Sequence, residues 1–558
     1  MALLLRSTKS LHTLKAYECG GSTRGPLGPH PASLPSMPSL TAVEPAAEPI
    51  LGKPLPLRVG FAGARGRALL GVGVNAVALD PERLDELDAV VVEMDGPASP
   101  NGMELVRAAR ANGKCVIAVV APGVETAVAD IHLGSGSAPE PPVLGAPPVD
   151  AHSFNPGLFR REGVGGFHAI GGPAATEDGI AAALPLLRAA AEVEPVALSL
   201  PREVPGPALP PEIVAVRPIG ANPAEWLEAL HGRLGVLDHP GLHASDWERA
   251  GLIAKLCASG VPVVCAEMSQ ELRALLGSEL ADLLEPVSER DLADLEQRER
   301  ISVALRRVAL REHSLDARWR QIATAAGISV PDRPMVSVIF ATRREGWLEH
   351  GLAQVNRQTY EPRELVVCLH GDEFGEGIEE RVRSLATGEV RIVHVDSELT
   401  LGDALNAGVE VARGELVTKM DDDDYYNTDH LWDLALALDY SGADLAGKAA
   451  EFVYLEEIDV TVRQISHDVE TRLAGGGMMM RRAPLVEEGG WPQRTRAEDL
   501  ALIRRYEGDD LPIHRIPPHG YILNRHGRDH TWRPAVDYFL FRSEQQWRGL
   551  RFDATGID

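Results

Sequence analysis

The feature that most constrains the fold lies between residues 335 and 420, where four apolar runs, MVSVIFATRR, ELVVCLH, VRIVHVD and ELVTKM, are separated by stretches with helical spacing, WLEHGLAQVNRQ, EERVRSLA and LGDALNAGVEVA. Continuous rather than alternating apolar runs are what strands covered on both faces require. A helix between each pair supplies the crossover that parallel strands need. This stretch is predicted to be a β-α-β sheet, with Pro334 marking the start of its domain.

At 558 residues the chain exceeds what one core usually serves, and the same pattern recurs upstream. LRVGFAG, DAVVVEM and KCVIAVVA read as buried strands of a first Rossmann-like lobe over 53–200. IVAVRPI, LGVLDH and VPVVCA read as a second lobe over 201–330, ending in a charged helical region from Glu289 to Ala325. The breaks are Gly/Pro-rich: GSGSAPEPPVLGAPP inside the first lobe and PREVPGPALPPE before the second. Residues 1–52, rich in Pro, Gly and Ser without periodicity, read as a flexible tail. The third α/β domain takes 331–558.

With 44% hydrophobic and 24% charged residues the chain is globular, and a net charge of -26 argues against unspecific nucleic-acid binding, which needs clustered cations. The five cysteines are scattered and lack metal-ligand spacing, as reduced core thiols would be. No apolar run approaches the roughly 20 residues that span a bilayer, and MALLLRSTKS is too short in its apolar part for a secretory signal. The expectation is a cytoplasmic protein without a transmembrane segment, free to associate peripherally with the inner face of a membrane.

Asp421, Asp422, Asp423 and Asp424 follow directly after the apolar strand ELVTKM. Ligands of open α/β sheets gather at strand carboxyl ends, and adjacent carboxylates repel one another unless a cation neutralises them. Hard oxygen ligands suit Mg²⁺ or Mn²⁺, and such an ion can bridge a diphosphate. The D-x-D spacing of Asp421 and Asp423 fits that role; a solvated acidic turn is the plain alternative. Further on, Ala497-Glu498-Asp499-Leu500 leads into a helical stretch. A carboxylate there would cap the helix or take the proton of a hydroxyl.

In their order, VSVIFATR, LGDALNAGVEVARGELVTKMDDDDYYN, GGGMMMRRAPLVEEGGWP and AEDLALIRR make Pro334 to about Trp532 resemble the GT-A fold of the family-two glycosyltransferases. The resemblance implies that a sugar moves from a nucleotide diphosphate sugar to the hydroxyl of a glycan or other acceptor, for instance in cell-surface polysaccharide synthesis. It implies that Asp421 and Asp423 contact the Mn²⁺ or Mg²⁺ and the donor diphosphate, with Asp424 a neighbouring candidate. Asp499 would be the base of an inverting single displacement, with Glu498 beside it among the acceptor contacts. The family's acidic pair at the end of the second strand is replaced by CLHGDEF, so His370 or Asp372 is expected to take over donor-base binding unless the backbone does so. Gly475-Gly476-Gly477 reads either as a turn or, at Gly476 and Gly477, as backbone approaching an acceptor sugar. Trp491 reads either as core or as a sugar-stacking face. In YILNRHGRDHTW, His526 is favoured over His530 as a late ligand of the metal.

HASDWERAGLIAKLCASGVPVVCAE, through Ser245, Glu248, Gly251, Gly260 and Pro262, makes the N-terminal half resemble the nucleotide-binding half of GT-B glycosyltransferases and the glycosyltransferase-like domain of CgeB-type proteins. Active relatives carry a second glutamate where this chain has Leu256, so the resemblance implies a degenerate GT-B-like module. The glycine stretch VGFAGARGRALLG reads either as a phosphate cradle or as a flexible loop. The fold expected is therefore α/β throughout, a GT-A domain preceded by two Rossmann-like lobes. Three rival readings stand beside a single-site transferase: a bifunctional two-site transferase, a nucleotidyltransferase releasing pyrophosphate, and a noncatalytic carbohydrate-binding or scaffold protein.

Overall fold

The computed structural model describes residues 55–62, 74–94, 100–120, 131–133, 143–154, 165–200, 209–216, 229–465, 473–527 and 534–556, apart from 145, 152, 173–174 and 231, with Arg67, Leu70 and Glu225 besides. The expected tail, Gly63, Gly66 and Gly71 of the glycine stretch, and His530 lie outside the described residues.

Strands β1 (Leu55–Ala62), β2 (Val74–Ala78), β3 (Ala89–Met94), β4 (Cys115–Val120), β5 (Ile131–Leu133) and β6 (Val143–Leu144) form one sheet in the order β2-β1-β3-β4-β5-β6, every pair parallel. Strands β7 (Phe167–Ile170), β8 (Val196–Ser199), β9 (Ile213–Val216), β10 (Gly235–Asp238) and β11 (Val263–Cys265) form a second parallel sheet, β11-β10-β7-β8-β9. The division between the lobes therefore falls between 144 and 167, not near 200 as the sequence suggested. The Gly/Pro-rich PREVPGPALPPE falls between two neighbouring strands of one sheet, whereas GSGSAPEPPVLGAPP contains β6, the last strand of the first sheet, and the chain changes sheets after it. Composition marks both as loops and cannot rank them.

Helix α1 (Glu177–Ala191) joins β7 to β8 and starts where Thr176 Oγ1 accepts from Gly179 N at 3.1 Å. Helix α2 (Asp246–Ala258) joins β10 to β11 and starts at Ser245, whose hydroxyl accepts from Glu248 N while Glu248 accepts from Ala244 N at 2.8 Å. The charged region forms α3 (Leu295–His313) and α4 (Leu315–Ala326). Trp319 of α4 is buried in the first lobe and donates to Leu70 O at 2.9 Å.

The third domain holds β12 (Val336–Thr342), β13 (Arg363–His370), β14 (Val390–Val395), β15 (Leu416–Lys419), β16 (Tyr425–Tyr426), β17 (Leu445–Lys448), β18 (Phe452–Leu455), β19 (Val460–Gln464), β20 (Met478–Arg481), β21 (Ile513–Ile516), β22 (Tyr521–Arg525) and β23 (Ser543–Arg548). Seven of these form a mixed sheet, β14-β13-β12-β15-β20-β17-β21, in which the first four are parallel and β20 runs against its neighbours. The others form a smaller sheet, β16-β22-β18-β19-β23. The four apolar runs read from the sequence are β12 to β15. Helix α5 (Leu401–Val411), opened by a reciprocal Thr400–Asp403 cap, lies between β14 and β15, followed by α6 (His430–Ser441) and α7 (Glu498–Gly508).

Helix α3 is built into this domain. Arg307 bonds Asp433 of α6 at 2.7 and 2.9 Å, Lys448 of β17 completes that carboxylate at 2.9 Å, and Arg463 of β19 pairs with Glu299. The order of the large sheet reverses between β12 and β15. A crevice at the carboxyl ends of those two strands is where an open sheet of this kind takes a ligand.

Candidate active site

That crevice is a cleft of about 790 Å³, walled by the end of β12 (Thr342, Arg343, Arg344), His370, Leu399 to Leu401, Lys419, the four aspartates, the turn from Ala474 to Gly476, Thr495 to Leu500, and Tyr521 to Arg525. Four carboxylates in one turn would not stay together uncompensated, and each is held differently.

Asp422, buried, accepts from Thr342 Oγ1 at 2.6 Å and from Arg344 through Nε at 3.2 Å and Nη2. Asp423 meets Arg344 Nη2 at 2.9 Å and His526 Nε2 at 3.0 Å. Arg344 Nη1 lies 3.0 Å from the same His526 nitrogen, and the His526 ring stacks on Trp347 at 4.8 Å. Asp424, fully enclosed, accepts from Tyr521 Oη at 2.7 Å and Asn524 N at 2.9 Å. Burial, with the charges of Asp423 and Asp421 added, pushes its carboxyl well above the usual range against those bonds. Asp421, the most open of the four, lies 3.1 Å from Lys419 Nζ. Burial pushes its carboxyl up to about 6 against the pull of Lys419.

Lys419, the last residue of β15, points along the cleft floor and also meets Glu498 at 3.5 Å. Burial works against its charge, but Asp421, Glu498 and Asp499 together hold its ammonium above the usual lysine range. Asp499 lines the cleft in the first turn of α7, its Oδ1 accepting from Leu500 N at 2.7 Å. Ala497 enters that helix in the left-handed region, φ 56, which turns residues 498 and 499 inward.

The turn Gly475–Gly477 packs directly on these groups. A Cβ at Gly475 would lie 3.0 Å from Asp499 Oδ2 and 3.1 Å from Lys419 Nζ. At Gly476 it would lie 2.7 Å from Tyr426 Oη and 2.8 Å from Asp421 Oδ2. Side-chain-free backbone thus fills the gap between Asp421 and Asp499.

The structure brings Asp421, Asp423, Asp499, Glu498, His370 and Gly476 to one cleft, sets His526 against Asp423, and leaves three expected contacts outside the cleft wall. Trp491 is 1% exposed inside the apolar cluster of Leu405, Leu445 and Met478, so its ring has no face for a sugar. Gly477 is buried against the carbonyl of Lys448, one residue beyond the cleft wall. Asp372 is exposed and accepts from Ser397 Oγ at 2.9 Å, because Gly371, at φ 117, turns the chain outward after His370. His370 itself meets Arg343 and Leu399 O, and burial together with the Arg343 charge lowers its pKa, leaving a neutral ring in the wall. Glu498 faces Lys419 rather than open space.

Arg344, Lys419, Thr342 and Tyr521 are the site residues that sequence reasoning passed over. The signal for Arg344 was present in ATRRE, two arginines at the end of the strand neighbouring an acidic strand end.

Residues 337–482 match the family described as glycosyl transferase family 2. The match spans β12 to the start of the helix after β20, including the acidic cluster, and marks this part of the third domain as similar to the family 2 glycosyl transferases. Among solved structures, S. aureus TarS is similar at 19% identity over 34% of this chain and 37% of its own, with a TM-score of 0.28. TarS residues 1–349 in complex with UDP-GlcNAc is similar at 20% over 36% and 62%, TM-score 0.29. The mannosyltransferase PcManGT from Pyrobaculum calidifontis, in complex with GDP-Man and Mn²⁺, is similar at 18% over 36% and 59%, TM-score 0.28. The chain thus spans less than two thirds of each. No curated protein matches the chain. Among the described residues no helix is long and apolar enough to cross a membrane.

Proposed function

We propose that residues 331–558 carry out a metal-dependent, inverting transfer of a sugar from a nucleotide diphosphate sugar to the hydroxyl of a glycan or related acceptor, as in cell-surface polysaccharide synthesis. The observation that carries this reading is the glycine turn, which touches Asp499 on one side and Asp421 on the other within a single cleft. Asp499 takes the proton of the acceptor hydroxyl as its oxygen attacks the anomeric carbon, and the bond to the diphosphate breaks on the opposite face. Lys419, between Asp421 and Asp499, sets a positive charge beside both carboxylates.

The donor set suits a hard divalent ion: oxygen ligands, crowded negative charge, and Asp421 raised by burial. Asp421 and Asp423 would hold Mn²⁺ or Mg²⁺, with His526 beside Asp423. Such an ion supplies neutralisation of the departing diphosphate. Among the described residues no three ligating side chains form a ready cage, in keeping with an ion that takes its remaining ligands from phosphate and water.

The N-terminal lobes we assign to a GT-B-like accessory module that positions an acceptor or supports assembly. In the second sheet the order reverses between β7 and β10, and among the described residues the segments that follow these two strands pack directly on one another. Gly172 N donates to Leu242 O at 2.7 Å, and a Cβ at Gly241 would lie 2.3 Å from Gly179 O. Leu256, where active relatives carry a glutamate, is fully buried. These observations favour one reaction centre over two.

Nucleoside diphosphate release from UDP-, GDP- and dTDP-sugars with Mn²⁺ or Mg²⁺, measured on the full chain, tests the reading. Asp423→Asn and Asp499→Asn should each abolish release, the latter with donor binding intact. Release surviving in both variants would move the chemistry to the N-terminal half. Pyrophosphate as the product would make the protein a nucleotidyltransferase, and binding without turnover would make it noncatalytic.

A further inference from the structure

Resting on the reading of Asp421 and Asp423 as metal ligands, we propose that Arg344 is the built-in counter-ion of that site, competing with the divalent cation for Asp423 and thereby coupling metal binding to the nucleotide diphosphate.

Arg344 has two seats. One edge of its guanidinium is paired with Asp422 through Nε and Nη2, and Asp422 is fixed in turn by Thr342 at 2.6 Å. The other side reaches Asp423 through Nη2 at 2.9 Å and His526 through Nη1 at 3.0 Å. Asp422 is not one of the D-x-D pair, so its carboxylate is available to the arginine whatever happens at Asp423. Trp347 keeps the assembly in place, with the Arg344 Cζ 5.8 Å from its ring centre and His526 stacked on it.

A divalent ion on Asp423 would share that carboxylate with the guanidinium already seated on its Oδ2, and two cations so close repel strongly. The ion must therefore draw Asp423 away from Arg344. Arg344 keeps its Asp422 pair when that happens, and Nη1 and the freed side of Nη2 become donors for an anion. A nucleotide diphosphate brings such an anion and takes up the released charge. The metal alone pays for displacing Arg344, whereas the metal together with a diphosphate does not, so each raises the affinity for the other. Lys419 differs: it lies between Asp421 and Glu498 on the cleft floor, without a bidentate seat apart from the D-x-D pair.

The test is direct Mn²⁺ binding by the full chain, read from the electron paramagnetic resonance of free Mn²⁺, with and without UDP or GDP. Wild type should bind Mn²⁺ about tenfold more tightly with the favoured nucleotide than without. Arg344→Gln should bind Mn²⁺ alone about tenfold more tightly than wild type and lose most of the coupling. Asp422→Asn, which removes the second seat and commits Arg344 to Asp423, should weaken Mn²⁺ binding. The double variant Arg344→Gln/Asp422→Asn leaves no unpaired charge at this position and should behave as Arg344→Gln, which keeps the test open if the single variant does not fold. Mn²⁺ affinity in Arg344→Gln and the double variant equal to or below wild type would overturn the inference while leaving the metal site standing. No Mn²⁺ binding by any form with either nucleotide would overturn both.

Discussion

Replacing Asp433 by asparagine would expose how far the catalytic domain depends on a buried charge cluster behind its cleft. Asp433 accepts from Arg307 Nε at 2.7 Å, Arg307 Nη2 at 2.9 Å and Lys448 Nζ at 2.9 Å, and it is 4% exposed. Burial opposes its ionisation, but the charges of Arg307 and Lys448 outweigh that and hold its carboxyl far below the usual range. In the variant Arg307 still meets Asp429 at 3.4 Å, whereas Lys448, 1% exposed, keeps only the carbonyl of His519 at 2.8 Å. An uncompensated buried charge of this kind costs about 3–5 kcal/mol, and the surviving Arg307 partner puts the expectation at the lower end, about 3 kcal/mol. Such a loss is a large part of the stability of an ordinary domain.

The sign with pH follows from both partners. In wild type the depressed Asp433 contributes stability above the unfolded carboxylate pKa, about 4, and loses it as the pH falls through that value toward the folded pKa, so the gap between the proteins closes in acid. Lys448 is already lowered by burial, and losing Asp433 lowers it further. The folded variant then binds fewer protons than its unfolded chain, so its stability rises as the pH approaches the unfolded lysine pKa, about 10, and the gap narrows there too. Urea unfolding followed by far-ultraviolet circular dichroism at pH 7 and 9.5 measures this. Adding Lys448→Met to Asp433→Asn should recover most of the loss. A deficit under about 1 kcal/mol at pH 7, or one that does not shrink at pH 9.5, would refute the reasoning.

Three further outcomes are expected. Gly476→Ala would drive a methyl into Tyr426 Oη and Asp421 Oδ2, costing about 1–3 kcal/mol and displacing the acidic cluster, so transfer should fall far more than the melting temperature, as paired activity and melting assays would show. Trp491→Ala should cost about 3–5 kcal/mol in denaturant unfolding, while Trp491→Phe should leave the acceptor KM unchanged, since the ring lies in the core. A fragment beginning at Pro334 loses Arg307 from Asp433 and Glu299 from Arg463, and thermal melting should find it less stable than a fragment beginning at Glu289.

Periodicity and strand-end placement made β12 to β15, the four aspartates and the start of α7 legible, because each is a local pattern, apolar runs set by burial in a sheet (on its edge only in part for β14) or adjacent like charges. The compensation of those charges was not legible. Arg344 reaches Asp422 across 78 residues and His526 across 182, and only the folded sheet brings the ends of β12, β15 and β22 together. Trp491 was ambiguous for a different reason: an aromatic beside glycine and proline suits a sugar platform and a core equally, and its backbone bonds to Asn406 settle its direction from a partner 85 residues away. Asp372 shows a third limit, since one glycine in the left-handed half of φ space decides which way the residue after a strand end points.

The cleft and the cluster behind it are mechanically joined. Lys448, neutralised by Asp433, carries the carbonyl that accepts from Ala474 N at 2.8 Å, and Ala474 opens the glycine turn that packs on Asp421 and Asp499. Arg307, the other partner of Asp433, comes from α3, the helix that follows the second lobe. A path of buried ionic and backbone contacts therefore runs from the N-terminal half through α3, Asp433 and Lys448 to the turn separating the metal-site candidates from the candidate base. An N-terminal module can matter to transfer through that path, by fixing the turn rather than by touching the sugar. On this argument Arg307→Met should lower the transfer rate while leaving Mn²⁺ affinity as in wild type. Weakened Mn²⁺ binding instead would place the effect of α3 at the acidic cluster.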